Sequence, residues 1–297
     1  MLFTIENTTL IVALITTIIV YFYRKRQHQD LAHYWRTYLL MPIAACLLID
    51  YGQTLTYDGT RWFTQYIPHL NFATSLDKAL PLISWFVIFY LSAYVVIVVM
   101  PFVVNWIGGN DLLKKYIFAI MTLFIISTII YLIFPNDVPH AWNTSQYSAH
   151  TGVFDKILQV VYDGDAASNG LPSLHNAHAW LPFFLILFNM KDFKTKKARK
   201  SKYISLAIIG TIATLISLST LFCKEHYIAD VVFSIGLVAL ISWGISRIYQ
   251  KHQQRIRFET VLIAISCTLI LSLGYSAWQF DNTYEHNSNT LKRLFLE

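Results

Sequence analysis

Charge is what this sequence has least of. Only 13% of its 297 residues are Asp, Glu, Lys or Arg, against about 25% in a soluble domain. Hydrophobic residues make up 55% and the mean hydropathy is +0.46. That balance excludes an ordinary water-soluble globule. It also empties the net charge of +6 of meaning for nucleic acid, because in a membrane chain the position of each cation matters more than the sum. Cysteine is scarce too. Cys46, Cys223 and Cys267 lie far apart with no CxxC, which argues against a disulfide framework and a cysteine zinc site. HExxH is absent, and with it the commonest helical zinc pattern. Internal repeats, low-complexity tracts and Gly/Pro linkers are missing, so one membrane domain is the simplest organisation. A leader cleavage site is also missing. The basic cluster Arg24-Lys25-Arg26 follows the first apolar run rather than preceding it, so that run reads as a retained span with its N-terminus outside.

What is present is length and hydrophobicity in the right units. A spanning helix needs about 20 largely apolar residues. Eight segments qualify: 8–23, 37–54, 82–105, 116–134, 174–190, 203–222, 229–247 and 260–279. The second must run past Asp50 to span. With the N-terminus outside, the inner loops are 24–36, 106–115, 191–202 and 247–258. They hold 17 of the 23 Lys and Arg residues, the asymmetry expected of cytoplasmic loops. Of the outer loops, 55–81 is rich in interfacial aromatics. The other, 135–173, contains 153-VFDKILQVVY-162, an amphipathic run expected to lie flat on the membrane surface.

Three polar clusters then share the outer face. These are 134-FPNDVPHAW-142 after the fourth span, 171-LPSLHNAH-178 entering the fifth, and 219-STLFCKEHYIAD-230 joining the sixth and seventh. His226 and Asp230 are four residues apart, within reach of each other on one helix face. A carboxylate on one imidazole nitrogen fixes the tautomer and leaves the other nitrogen a better nucleophile or base. Lys224 supplies fixed positive charge. Pro172 suits a first helical turn, whose free N–H groups can hold an anion with the Ser173 hydroxyl. His175 is placed to protonate a leaving group. His178, nearly a turn deeper, reads as structural. His140 adds a possible extra cation. Together these parts make a phosphate site: donors for charge, an in-line nucleophile and a leaving-group acid. No metal and no cofactor is required.

The motifs 172-PSLH-175 and 219-STLFCKEHYIAD-230 resemble the second and third signatures of the PAP2 (type 2 phosphatidic acid phosphatase) superfamily, with the inositol phosphorylceramide synthase (Aur1-like) branch nearest. The resemblance spans roughly residues 116–247. It implies an all-α polytopic bundle with a six-helix core. It also implies His226 as a nucleophile forming phosphohistidine, Asp230 orienting it, His175 as the acid, and Ser173 and Lys224 on the phosphate. Thr220 stands where the phosphatases usually carry arginine, and Glu225 where the Aur1-like branch has glutamine. The first motif lacks the usual lysine and arginine, with His140 a partial substitute.

The expectation is a lipid phosphate phosphatase or phosphotransferase in about eight spans. Residues 1–81 form N-terminal spans and an outer loop, 82–258 the catalytic core, and 259–297 a last span and outer tail. Its partners are a lipid phosphate substrate and membrane lipids, without nucleic acid. A bacterial inner membrane, with the site facing the periplasm or exterior, is the expected location. Nothing in the sequence sets the oligomeric state, the donor or the acceptor. Two other classes stay open. A metalloenzyme would use His175, His178, Glu225, His226 and Asp230 as ligands. A transporter would place ionisable residues near the bilayer midplane.

Overall fold

A computed structural model describes residues 41–64, 66–138, 152–165, 167–190 and 196–252. The expected spans 8–23 and 260–279, and His140, lie outside the described residues. Within them the protein is helical, with two isolated bridges, Leu70–Asn136 and Asp137–Ser168. In chain order the helices are α1 (Met41–Thr54), α2 (Thr60–Thr64), α3 (Ser75–Ala79), α4 (Val87–Ile133), α5 (Val153–Gly164), α6 (Leu174–Phe188), α7 (Lys196–Phe222) and α8 (Ile228–His252).

The second span does run past Asp50. A π turn at Leu55–Gly59 joins α1 to α2 without leaving the helical path. Buried threonines carry the polar stretch. Thr60 donates to the Thr56 carbonyl at 2.6 Å and Thr64 to that of Thr60 at 3.2 Å, so neither hydroxyl is left unpaired in an apolar setting.

Helix α4 is two spans. Its 47 residues are helical except at Gly109, where φ is +68°, a conformation open to glycine at little cost. The chain reverses there. Tyr90 near the start of α4 donates to Glu225, and Tyr131 near its end donates to the Pro172 carbonyl. Both ends therefore meet the loops that carry the histidine motifs. Close to the break, Lys115 donates to Asn189 at 2.5 Å and lies 5.1 Å from the Tyr249 ring, whose hydroxyl donates to Asp111. The sequence leads one to expect a ten-residue loop at 106–115; a single glycine makes the turn instead.

Helix α6 sits in the centre, against α4, α7 and α8. Ala177, Leu181, Leu185 and Ile186 meet a core that includes Ile117, Ile120, Ala213, Ile216, Val238 and Ile241. Its 15 residues rise about 22 Å, short of a 30 Å hydrocarbon core. The segments Ser84–Ile133, Lys200–Phe222 and Ile228–Tyr249 are long and apolar enough to cross a membrane. Counting the first of these as the two arms of α4, and adding α1–α2 and α6, there are six limbs among the described residues. The amphipathic run at 153–162 does form a helix. Its Leu158 is buried, and Ile157, Val161 and Tyr162 pack beside Val87, Tyr90 and Cys223, leaving Val153, Phe154 and Val160 exposed.

Candidate active site

The site forms where α6 begins and α7 passes into α8. Ser173 caps α6 with an extended backbone, as N-cap serines do. Its hydroxyl accepts from the Asn176 N–H at 3.3 Å and from Asn176 Nδ2 at 2.9 Å. Both bonds are accepted, so the hydroxyl hydrogen is left to donate. Asn176 Nδ2 also donates to Thr220 Oγ1 at 3.1 Å, tying the second motif to the third. Ser173, Asn176 and Thr220 are all fully buried.

After α7 the chain turns through Lys224, whose φ is +56°. A non-glycine residue in this region is uncommon and strained. The turn aims the N–H groups of Glu225 and His226 at the Thr220 carbonyl, at 2.9 and 3.1 Å. His226 thus lies in the turn before α8, not on the helix. Its meeting with Asp230 comes from capping: Asp230 Oδ2 accepts the Tyr227 N–H at 2.8 Å, which fixes the carboxylate over the helix start. The same oxygen lies 3.5 Å from His226 Nδ1, with Asp230 0% exposed.

His175, in the first turn of α6, brings its ring centroid to 5.9 Å from that of His226. It rests on Tyr90 at 4.7 Å and Tyr94 at 5.5 Å, and the Tyr94 hydroxyl is 3.4 Å from its Nε2. Tyr90 also donates to Glu225 Oε2 at 3.4 Å. Burial pushes the Glu225 carboxyl well above the usual range, and the charge of Asp165 adds to it.

The two remaining cationic or polar candidates go elsewhere. The Lys224 ammonium donates to the carbonyls of Asp77 at 2.9 Å and Leu80 at 2.7 Å, so it is bound to the outer loop. Burial lowers its pKa and Asp77 offsets part of that. His178 is 1% exposed, packs edge-on against Phe124 at 5.6 Å, and neither ring nitrogen has a hydrogen-bond partner among the described residues.

Other functional-looking residues are not singled out individually by the sequence. Asn136 is 0% exposed. It accepts the Leu171 N–H at 2.8 Å and donates to the Phe134 and Leu171 carbonyls, pinning the approach to Ser173. Gly170 passes so close that an added Cβ would lie 2.9 Å from Val138, and 3.1 Å from both Asn136 and the Asp230 carboxylate. From the first cluster, Asp137 binds His69 at 2.8 Å. Among the described residues no three His, Cys, Asp or Glu side chains are grouped as metal ligands.

A serine-capped helix bearing one histidine thus faces a second histidine backed by a buried carboxylate. Residues 112–254 match the PAP2 superfamily. Members of this superfamily are helical, membrane-associated phosphatases and phosphotransferases. The matched segment contains Ser173, His175, His226 and Asp230, but begins after Asp77, Tyr90 and Tyr94. It is a match to the superfamily as a whole and assigns no branch. No curated protein and no solved structure matches the chain.

Proposed function

We propose that this protein is an integral-membrane phosphatase or phosphotransferase that acts on a lipid phosphate through a phosphohistidine at His226. The observation that carries this reading is the pairing of His175 with His226, from separate motifs, with Asp230 buried behind the latter. Nδ1 of His226 faces the carboxylate, so Nε2 is the nitrogen available for attack. Its lone pair forms the N–P bond as the P–O bond to the leaving group breaks. The departing oxygen takes a proton from His175, and the Asp230 carboxylate stabilises the cationic ring. In the second half, water or a lipid or sugar hydroxyl gives its proton to His175 and displaces His226 from phosphorus. Water makes the protein a phosphatase; an alcohol makes it a transferase. Ser173 donates to a phosphoryl oxygen, as do the free N–H groups at the start of α6. His140 remains a candidate cation. For Lys224 to bind phosphate, its ammonium would have to leave two carbonyls.

Transfer from a phosphodiester donor, the Aur1-like chemistry, has support from one feature. The Lys224 ammonium is turned to the loop, which weakens the field for a fully charged monoester. Orientation follows from the opposite pole, where Lys115 and Lys202 lie. Basic residues mark the cytoplasmic side, which supports histidines that face outward, towards the periplasm if the membrane is a bacterial inner one.

The test is phosphate release by purified protein from phosphatidic acid and undecaprenyl pyrophosphate, with and without EDTA. His226→Ala should fold normally and lose all turnover. Full activity in that variant would rule out the mechanism.

A further inference from the structure

The five residues Lys224–Ile228, which carry the candidate nucleophile, are suspended from a part of the chain that precedes the matched segment. Two residues before His226, Lys224 Nζ donates to the carbonyls of Asp77 and Leu80. Two residues after it, the Ile228 N–H donates to Asp77 Oδ1 at 2.8 Å. All three bonds end on the short helix α3 and its C-cap. Asp77 is itself held, since its Oδ2 accepts the Thr74 N–H at 2.7 Å and the Thr74 hydroxyl at 2.5 Å. Further ties run alongside. The Ile83 N–H donates to the Phe222 carbonyl at 3.0 Å, and Asn71 Nδ2 to the Tyr227 hydroxyl at 3.2 Å. Asp77 is 7% exposed and Lys224 6%; neither is a solvated surface charge.

The turn needs such support. Lys224 sits in a left-handed conformation that is strained for a non-glycine residue. A side chain anchored by two carbonyls can hold it there. At the other end, the first N–H groups of α8 lack intrahelical partners, and the Asp77 carboxylate takes that of Ile228 from outside the helix.

We infer that Asp77 and Lys224 form a latch that sets the position of His226, so that the outer loop at 71–83 is a working part of the catalytic site. Both are positioning residues: they act on the reaction only through the turn they hold. This inference rests on the proposed role of His226. It assigns Lys224 to the loop rather than to phosphate.

The experiment compares Asp77→Ala, Lys224→Met, their double variant and Asp77→Asn in the full-length detergent-purified protein. The probe substrates are phosphatidic acid and undecaprenyl pyrophosphate. Small misplacements of a catalytic group cost up to about 100-fold, so each single variant should lose roughly 10- to 100-fold in kcat, with KM held within about twofold. Because the two residues act as one device, the double variant should be no worse than the poorer single. Asp77→Asn keeps an oxygen for Ile228 and should recover part of the loss. Amide exchange should rise in residues 223–230 and stay unchanged in 177–186. A rise in KM for Lys224→Met at constant kcat would overturn the latch and return Lys224 to phosphate binding. So would unchanged kcat and exchange in Asp77→Ala. If the unaltered protein turns over neither substrate, the phosphotransfer reading fails for them, and exchange in 223–230 alone decides the latch.

Discussion

Glu225 stands one residue before the candidate nucleophile with 2% of its surface exposed, an expensive place for a carboxylate. Its pKa is raised by burial first and by Asp165 second. The sign for stability follows from linkage. Below the unfolded value of about 4.5, both states hold the proton and nothing is lost. As pH climbs above it, the unfolded chain ionises while the folded one resists, so stability falls until the raised folded pKa is reached. Glu225→Gln keeps an oxygen for the Tyr90 hydroxyl and removes the titration. Its melting temperature should therefore exceed that of the unaltered protein by a margin that widens from pH 5 to pH 8. A constant margin would mean that Glu225 ionises freely in the folded state. The sequence does reveal Glu225 and the His226–Asp230 spacing. It suggests the wrong cause for the latter pairing, because spacing alone cannot tell a helix face from a capped turn. Nor could it mark Asp77, Asn136 or Asn176. A short polar side chain in a loop has many possible partners, and only the folded chain selects one.

Among the elements, the length of the apolar runs was enough to place α6, α7 and α8, and helical spacing the amphipathic α5, although α7 begins seven residues before the expected span and α8 ends five residues after it. It failed at the reversal in α4, where the residues on both sides of Gly109 suit helix and the turn depends on one backbone angle. The loops are also where the site is most sensitive. Gly170 brings the segment before Ser173 against both Asn136 and Asp230 with no room for a side chain. Gly170→Ala should force these apart, lowering kcat by about 10-fold or more while the spans stay folded. A circular dichroism spectrum matching the unaltered protein, beside reduced phosphate release, is the expected pair of results. Unchanged release would mean that the three loops can shift without disturbing Asp230.

For the whole molecule, the two poles differ in chemistry. Histidines, tyrosines and buried carboxylates gather at one, and Lys115, Asn189 and Tyr249 at the other. If the basic pole is cytoplasmic, a cysteine at exposed Tyr66 should react with a membrane-impermeant maleimide in intact cells. A cysteine at exposed Lys200 should react only after permeabilisation. Cys46 and Cys223 are buried, and a Cys267→Ser background keeps the readout clean. The reverse pattern would put the histidines in the cytoplasm.

The latch also bears on where the functional unit begins. A fragment cut to the matched residues 112–254 would retain His226 and His175, the groups proposed to touch phosphorus and its leaving oxygen, and Asp230 behind His226. It would lack Asp77 and Leu80, and with them the anchor of the turn, along with both tyrosines that cradle His175. Such a fragment would contain the reagents without their alignment. Supplying residues 41–108 as a separate chain should then restore turnover that neither piece has alone, so the smallest active enzyme is set by who holds the nucleophile rather than by who resembles whom.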